Sequence, residues 1–197
     1  MGKNIVVYDI ETKYTFDEVG GRDNSTELGI SVLGSFDYEN GEFVIYEEKE
    51  LSKFAERLQK KPLLVGFNSK KFDTPILQKY IQFDLKKIPQ LDIMEELQKV
   101  LGHRIGLDSV AQATLGEGKS GSGLDAIRYY REGKIDELKK YCLDDVRITR
   151  DVYEYAAKHG ELFYLPKFGP GRNRAAANWK IEHPDEGRVE HVQQSLF

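Results

Sequence analysis

Asp9 and Glu11 are the first residues in the sequence whose types and spacing indicate chemistry. They follow the apolar run Ile5–Tyr8. Because side chains repeat every second residue along a strand, both carboxylates point to the same side of the backbone. Two like charges side by side are costly unless a cation or solvent neutralises them. The pair therefore fits either a solvent-facing strand end or one half of a metal site.

Asp73 is a third carboxylate at a position that suits either structure or chemistry. It follows the short apolar run Leu63–Phe67, and Pro75 is well placed in the first turn of a helix. Asp73 is then at or near a helix N-terminus, where an aspartate commonly caps the first turn. The functional alternative is a carboxylate that points into the cleft at the carboxyl end of a sheet, where open α/β sheets usually bind ligands.

Asp145 is the fourth carboxylate, and it lies on an apolar helix face. Leu138, Tyr141 and Ile148 are spaced so that they share one stripe with it. A carboxylate on such a face requires either backbone donors or a cation. A divalent cation shared with the three earlier carboxylates explains all four positions together. Tyr141 precedes Asp145 by one helical turn, so its hydroxyl can reach the same pocket.

The elements that position these residues are those of an α/β domain. A hairpin is predicted around Asn40 and Gly41, because Asn-Gly between two alternating segments is a strong turn signal. A short, wholly apolar run between helices is typical of a buried parallel strand. The predicted strands are Asn4–Tyr8, Gly29–Tyr38, Glu42–Glu47 and Leu63–Phe67. The expected sheet is therefore mixed, with three antiparallel strands followed by parallel strands, and helices flank it.

The helices are predicted from apolar periodicity and from the residues that can cap them. Ser52, Asp92 and Asp108 lie at the starts of apolar periodic segments and are predicted N-caps. Two later helices are predicted over Leu124–Arg131 and Ile135–His159. The second of these carries Tyr141 and Asp145.

Two loops are candidates for function. Lys13–Glu27 is long, charged and adjacent to the first two carboxylates, and long loops in compact domains are often functional. Gly116–Gly123 contains Gly-Lys-Ser, as phosphate-binding loops do. The glycine which that motif requires five residues earlier is Ala113 here, and the loop follows a helix rather than a strand. We therefore predict a connector whose Lys119 can approach a phosphate backbone.

Length and composition suit one domain with a sizeable core, or one domain with a tail. The chain has 197 residues, of which 40% are hydrophobic. We predict a domain over residues 1–160 and an extension over residues 161–197. The apolar runs are too short to span a bilayer and no leader opens the chain, so a cytoplasmic protein without a membrane partner is expected. Cys142 is the single cysteine and is expected to be a small buried group.

Three short motifs, taken in order, resemble those of a known enzyme family. DIET begins at Asp9, NSKKFD at Asn68 and YCLDD at Tyr141. They are similar to the three exonuclease motifs of the ribonuclease H-like 3′→5′ exonucleases, specifically the proofreading domain of family-B DNA polymerases and its free-standing relatives. The resemblance covers roughly residues 4–157. Tyrosine four residues before the last aspartate, with Lys140 where other relatives have histidine, resembles the tyrosine (DEDDy) subclass.

The resemblance implies a function for eight residues. Two divalent ions, Mg²⁺ or Mn²⁺, would be held by carboxylate oxygens, a tyrosine would orient the attacking water, and three further residues would contact the single-stranded 3′ end. The implied metal ligands are Asp9, Glu11, Asp73 and Asp145, the tyrosine is Tyr141, and the substrate contacts are Thr12, Asn68 and Phe72. The implied reaction is release of nucleoside monophosphates from a DNA 3′ end.

Two other functions remain open at this stage. The metal cage does not select the sugar, so RNA is an alternative substrate. A non-catalytic nucleic-acid or clamp adaptor on the same fold is the other alternative. The formal net charge of −4 is weak evidence against a nucleic-acid binder, although active-site acids count as negative until a metal binds them.

The C-terminal extension has two features of its own. Cations interleave with Phe168 and Trp179, which fits either a strand of nucleic acid or docking of the tail through Trp179. A polar linker over residues 183–187 follows. Gln193–Phe197 resembles the peptides by which bacterial replication and repair proteins bind the sliding clamp, with Gln194 departing from that consensus. A sliding clamp is therefore a candidate partner.

Overall fold

The computed structural model describes residues 3–118, 121–183 and 188–191. Its centre is a five-stranded sheet. The strands are β1 (Ile5–Thr12), β2 (Ile30–Asp37), β3 (Glu42–Glu47), β4 (Leu63–Gly66) and β5 (Gln90–Asp92). Their spatial order is β3-β2-β1-β4-β5. The first three are antiparallel, and β1, β4 and β5 are parallel. The predicted mixed α/β sheet is confirmed.

Within the described residues, six α-helices flank this sheet. They are α1 (Leu51–Leu58), α2 (Asp73–Gln78), α3 (Ile93–Leu101), α4 (Leu107–Leu115), α5 (Gly123–Arg131) and α6 (Ile135–His159). Short 3-10 turns occur at Arg22–Glu27, Glu48–Glu50 and Leu85–Lys87. The predicted long helix has the observed bounds of α6, and the left-handed Gly160 terminates it.

The predicted helix caps are correct in one case of three. Asp92 caps α3, where its side chain accepts the amides of Met94 and Glu95. Ser52 and Asp108 are not caps, because each lies within the first turn of its helix, which begins at a leucine. Those two leucines are buried. Each helix therefore begins one residue before the predicted capping residue, because burial of its first leucine outweighs the capping preference of Ser52 or Asp108.

β1 is longer than predicted, and this decides the direction of the acids. It continues to Thr12, so Asp9 and Glu11 lie within the strand. Alternate residues of β1 belong to different core clusters: Ile5 and Val7 pack on the side of α4 and α6. Asp9 and Glu11 share the parity of those two residues and therefore face α6. The central position of β1 between β2 and β4 buries it on both faces.

The segment after α6 packs on the domain, in strands that the sequence did not predict. These are β6 (Glu161–Tyr164) with β7 (Asn173–Ala176), and β8 (Lys180–His183) with β9 (Arg188–His191). Trp179 is 3% exposed and belongs to the same cluster as Ile5 and Val7. Trp179 therefore docks this segment on the domain. Residues 184–187 of the predicted linker and the clamp-like Gln193–Phe197 lie outside the described residues.

Within the described ranges, no helix combines the length and the apolar composition that a bilayer span needs.

Candidate active site

Asp9 and Glu11 of β1 meet the side chain of Cys142 on α6. The carboxylate oxygens of the two acids and the Cys142 thiol lie within 4.8 Å of one another. Glu11 and Cys142 are buried, and Asp9 is partly buried. The Cys142 thiol donates to the carbonyl oxygen of Asp9 across 3.7 Å. The sequence predicted Cys142 to be a buried apolar group, and its place beside the acids had no signal in the local sequence.

Tyr141 and Asp145 are the residues of α6 that lie next to this group. They are 5% and 2% exposed, and their side chains are hydrogen-bonded to each other. Burial raises the pKa of the Tyr141 phenol far above its ordinary value, and the negative charges of Asp145, Glu11 and Asp9 raise it further. The phenol is therefore protonated at neutral pH. After burial, the carboxylates that raise its pKa come from both β1 and α6.

Asp73 reaches the acid pair through the backbone of β1. It is the first residue of α2 and is 3% exposed. The parallel pairing of β1 with β4 ends at Val7. Beyond that point, the amide of Ile10 donates to Asp73 Oδ1 at 3.1 Å. Because Ile10 stands between Asp9 and Glu11 in the strand, this bond fixes Asp73 to the part of β1 that carries the acid pair. The N-cap of α2 is Phe72, so Asp73 does not occupy the cap position.

A line of buried hydroxyls supports the turn that carries Asp73. The Tyr8 hydroxyl lies 2.8 Å from Thr74 Oγ1, which donates to Gln90 Oε1 at 2.9 Å. Ser69 adds a hydrogen bond to the Tyr8 oxygen, and its own carbonyl accepts the Thr74 amide at 2.8 Å. Burial raises the pKa of Tyr8 well beyond its ordinary value, so its hydroxyl keeps its proton. The line ties β1 and β5 to the first turn of α2.

Two of the three predicted substrate contacts line one cavity next to the acids. Thr12 and Phe72 lie in its wall together with Glu11, and its volume is about 550 Å³. Phe16 meets Phe72 edge-on, with ring centroids 6.0 Å apart. The guanidinium of Arg22 lies 4.9 Å from the centre of the Phe16 ring. Phe16 and Arg22 both belong to the long charged loop Lys13–Glu27, for which the sequence predicted a function.

Asn68 is held in a different place from the other two predicted contacts. It does not line that cavity, and its backbone is left-handed, with φ 65°. Its amide donates to Asp92 Oδ1 at 2.8 Å, and its side-chain oxygen accepts Arg104 Nη2 at 2.8 Å. Asn68 therefore holds Arg104 just beyond the end of β4, the strand that neighbours β1.

The donor atoms fit a hard divalent cation. Asp9 and Glu11 supply carboxylate oxygens close enough to share one ion. Asp145 is connected to them through Tyr141, and Asp73 through the amide of Ile10. Mg²⁺ and Mn²⁺ prefer oxygen ligands of this kind. Several acids in one buried place are also unfavourable without a counter-charge. The residues present therefore fit the predicted metal ions.

The fold and this acidic cluster define a class of protein that comparison with known families identifies. The family model described as RNase_H superfamily matches residues 6–157, and the chain belongs to that superfamily. Its sheet and helices accordingly form a ribonuclease H-like α/β fold.

A solved structure supports the same fold. The crystal structure of RNase D from Trypanosoma brucei matches with a TM-score of 0.56 and 17% sequence identity. The match covers 78% of this chain and 57% of the trypanosomal chain, so this chain spans little more than half the length of that protein. At such an identity the likeness shows the fold alone. No curated protein gives a significant match to the sequence.

Proposed function

We propose that this protein is a metal-dependent 3′→5′ exonuclease of the tyrosine subclass, which hydrolyses single-stranded DNA to nucleoside monophosphates. The observation that carries the proposal is the meeting of Asp9 and Glu11 of β1 with Cys142 on α6, next to Tyr141 and its hydrogen-bond partner Asp145. Asp73 joins this group through Ile10. Membership of the RNase_H superfamily agrees with phosphodiester hydrolysis.

The four carboxylates have a common task in this proposal. When bound by Asp9, Glu11, Asp73 and Asp145, two Mg²⁺ or Mn²⁺ ions would activate a water and stabilise the leaving 3′ oxygen. The four side chains come from rigid elements, two from one strand and one from each of two helices. This arrangement holds the oxygens in place before substrate arrives.

Tyr141 is the residue that orients the attacking water. Its protonated hydroxyl is fixed by the hydrogen bond to Asp145 and lies in the field of Glu11 and Asp9. Because the phenol keeps its proton, it acts through hydrogen bonds and does not serve as a general base. Its near-complete burial restricts the positions that the water can take.

The cavity beside Glu11 receives the terminal nucleoside. Phe72 and Phe16 offer ring surfaces on which any base can stack. Thr12 is at the border of cavity and acids, where a hydroxyl can contact the sugar. Arg22, above the Phe16 ring, adds a cation for phosphate. The scissile phosphate would then lie at the carboxylates, between this cavity and Asn68.

Single-stranded RNA is the second candidate substrate. It is favoured by the likeness of the fold to a protein named RNase D. The carboxylates do not distinguish the two sugars, so substrate preference must come from contacts in the cavity. Binding of a sliding clamp through Gln193–Phe197 stays a prediction from sequence.

Digestion of 5′-labelled oligonucleotides tests the proposal. Matched single-stranded DNA and RNA are incubated with Mg²⁺ or Mn²⁺, and the products are resolved by length. We expect progressive shortening from the 3′ end, with no cleavage by Asp9→Asn or Asp145→Asn. Asp144→Asn is the matched control, because Asp144 is adjacent in sequence but pairs with Arg147 at 3.7 Å. Full activity of both site variants would refute the assignment, and binding without cleavage would indicate an adaptor.

A further inference from the structure

The segment after α6 has an unusual charge for this chain. Residues 162–180 contain four cations and no acidic residue, although the whole chain has a formal net charge of −4. One of the cations, Arg174, is paired with Glu161. Lys167 instead lies 5.5 Å above the centre of the Phe168 ring. The segment therefore carries positive charge that an anionic partner can meet.

Phe168 is the most exposed large apolar side chain of the described residues. Its exposed fraction is 82%. A ring in water with an ammonium group above it can stack on a base while the cation meets a phosphate. Trp179, the other aromatic residue that the sequence suggested for this task, is buried. Phe168 is therefore the stacking candidate of the segment.

A chain of contacts connects this segment with the acids. Tyr164 on β6 lies next to His103, with ring centroids 6.3 Å apart. Arg104 follows His103 and donates to Asn68 at the end of β4. Leu165, between Tyr164 and Lys167, is held to α4 by two hydrogen bonds with Ser109. We call the group made of the exposed His103, Arg104, Lys167 and Phe168 and the partly buried Tyr164 the basic-aromatic surface.

We propose that the basic-aromatic surface binds the single-stranded nucleic acid upstream of the terminal nucleotide. The inference rests on the proposed function, which places the last nucleoside in the cavity of Thr12 and Phe72. The rest of the strand then leaves past Asn68, where Arg104 is the cation in contact. A polyanion that approaches a cluster of carboxylates needs such positive charge along its path.

The composition of the surface indicates how the strand is held. Phe168 supplies an exposed ring and Tyr164 a partly buried one, and ring faces stack on bases without regard to sequence. Arg104 and Lys167 supply charges for phosphates, and these contacts do not distinguish DNA from RNA. The surface therefore adds affinity and not base specificity. Its effect must grow with the length of the strand, because a short substrate does not extend from the acids to Phe168.

The test measures how much affinity the protein gains when the strand is lengthened. Fluorescence anisotropy is recorded with labelled oligonucleotides of about four and about twelve nucleotides, a range that covers usual single-strand site sizes. EDTA is present, so that no hydrolysis occurs. The full-length wild type is compared with Arg104→Gln and with Lys167→Gln/Phe168→Ala. Lys60→Gln is the control. Lys60 is exposed and precedes β4, so it lies at the end of that strand opposite to Asn68.

We expect the double variant to lose about tenfold in affinity for the longer strand, the effect of one lost base stack. The slope of log affinity against log salt should fall by about 0.7 for each lost phosphate contact. Lys60→Gln should match the wild type. Unchanged melting temperatures show that the variants fold.

The proposal would be overturned if the wild type and both variants gained the same affinity when the strand is lengthened. It would also be overturned if Lys60→Gln lost as much affinity for the longer strand as those variants do. The outcome is separable from that of the digestion assay: a chain that binds longer strands through this surface but cleaves nothing refutes the exonuclease function alone. If the surface variants cleave normally and their affinity depends on strand length as that of the wild type does, only this inference is refuted.

Discussion

Gly34 lies directly opposite Asp9 and leaves room for Cys142. The two residues 9 and 34 are partners in the register of β1 and β2. A Cβ atom at Gly34 would stand 3.0 Å from Cys142 Sγ and 3.0 Å from Val146 Cγ2. The missing side chain therefore lets α6 approach the sheet beside the acid pair. It is this approach that brings Tyr141 and Asp145 to Asp9.

We predict that Gly34→Ala lowers both stability and activity. The methyl group would displace α6, and overpacking of this kind typically costs about 1–3 kcal/mol. Urea denaturation and cleavage rates measure the two effects. Gly106→Ala is the control, because a Cβ there has no neighbour within 4 Å and the residue does not line the cavity of Thr12 and Phe72. A variant as active and as stable as the wild type would show that the helix does not depend on this gap.

Tyr8→Phe should weaken metal binding without removing the ligands. The change deletes the hydroxyl between Ser69 and Thr74 and loosens the turn that carries Asp73. Loss of a supporting residue of this kind commonly costs about tenfold or more in metal affinity. The Mg²⁺ concentration for half-maximal activity measures it. Tyr46→Phe, which removes a hydroxyl bound to Ser35, serves as control, and identical metal curves for all three proteins would contradict the prediction.

Tyr141→Phe is expected to reduce kcat while the protein still binds metal. The phenol orients water in our proposal and is not a ligand, and loss of one preorganised donor costs about 100-fold in rate. Single-turnover cleavage is the measurement, with metal-induced thermal stabilisation recorded beside it. Tyr155→Phe is the matched change on the same helix, where the ring stacks on His159 at 4.3 Å. Wild-type turnover by Tyr141→Phe would remove the tyrosine from the mechanism.

Divalent metal should stabilise the folded protein. An ion at about 100 times its dissociation constant adds about 2.7 kcal/mol if it binds only the folded state. Without metal, Asp9→Asn should be as stable as the wild type or more stable, because it relieves repulsion among the acids. Thermal unfolding in EDTA and in Mn²⁺ measures both effects. An equal metal-induced shift in wild type and Asp9→Asn would place the ion elsewhere.

The Asp37–Arg57 pair should make stability depend on pH. Burial by itself raises the pKa of Asp37, but hydrogen bonds from Arg57 and from the Glu39 amide outweigh it and hold the pKa below 3.8. A carboxyl group whose pKa is lower in the folded state stabilises the fold at pH values above its pKa in the unfolded state. This stabilisation is lost as the pH falls through the pKa of the folded state.

Arg57→Gln is therefore expected to cost about 2 kcal/mol near neutral pH. The difference from the wild type should shrink as the pH falls below 3.8. Urea denaturation at several pH values measures it, and Lys60→Gln, which breaks an exposed pair with Glu39, should have little effect at any pH. If the difference in free energy of unfolding between wild type and Arg57→Gln did not change with pH, Asp37 would not be the titrating group.

Much of the site follows from local periodicity. The alternation along β1 puts Asp9 and Glu11 on one side of the strand, and the helical repeat puts Tyr141 and Asp145 on one face of α6. Both are set by backbone geometry over a few residues. The mixed sheet and the bounds of α6 were predictable for the same reason. The catalytic roles of these residues are predictions that the experiments above test.

The sequence by itself determined which side chains share a face, because that depends only on neighbours along the chain. Tertiary packing alone decided what each face meets. Cys142 and Asp9 are 133 residues apart and touch because Gly34 lets α6 approach. Asp73 bonds to Ile10, and Trp179 docks in the core. Such contacts arise from how whole elements fill space together, and no local pattern records them.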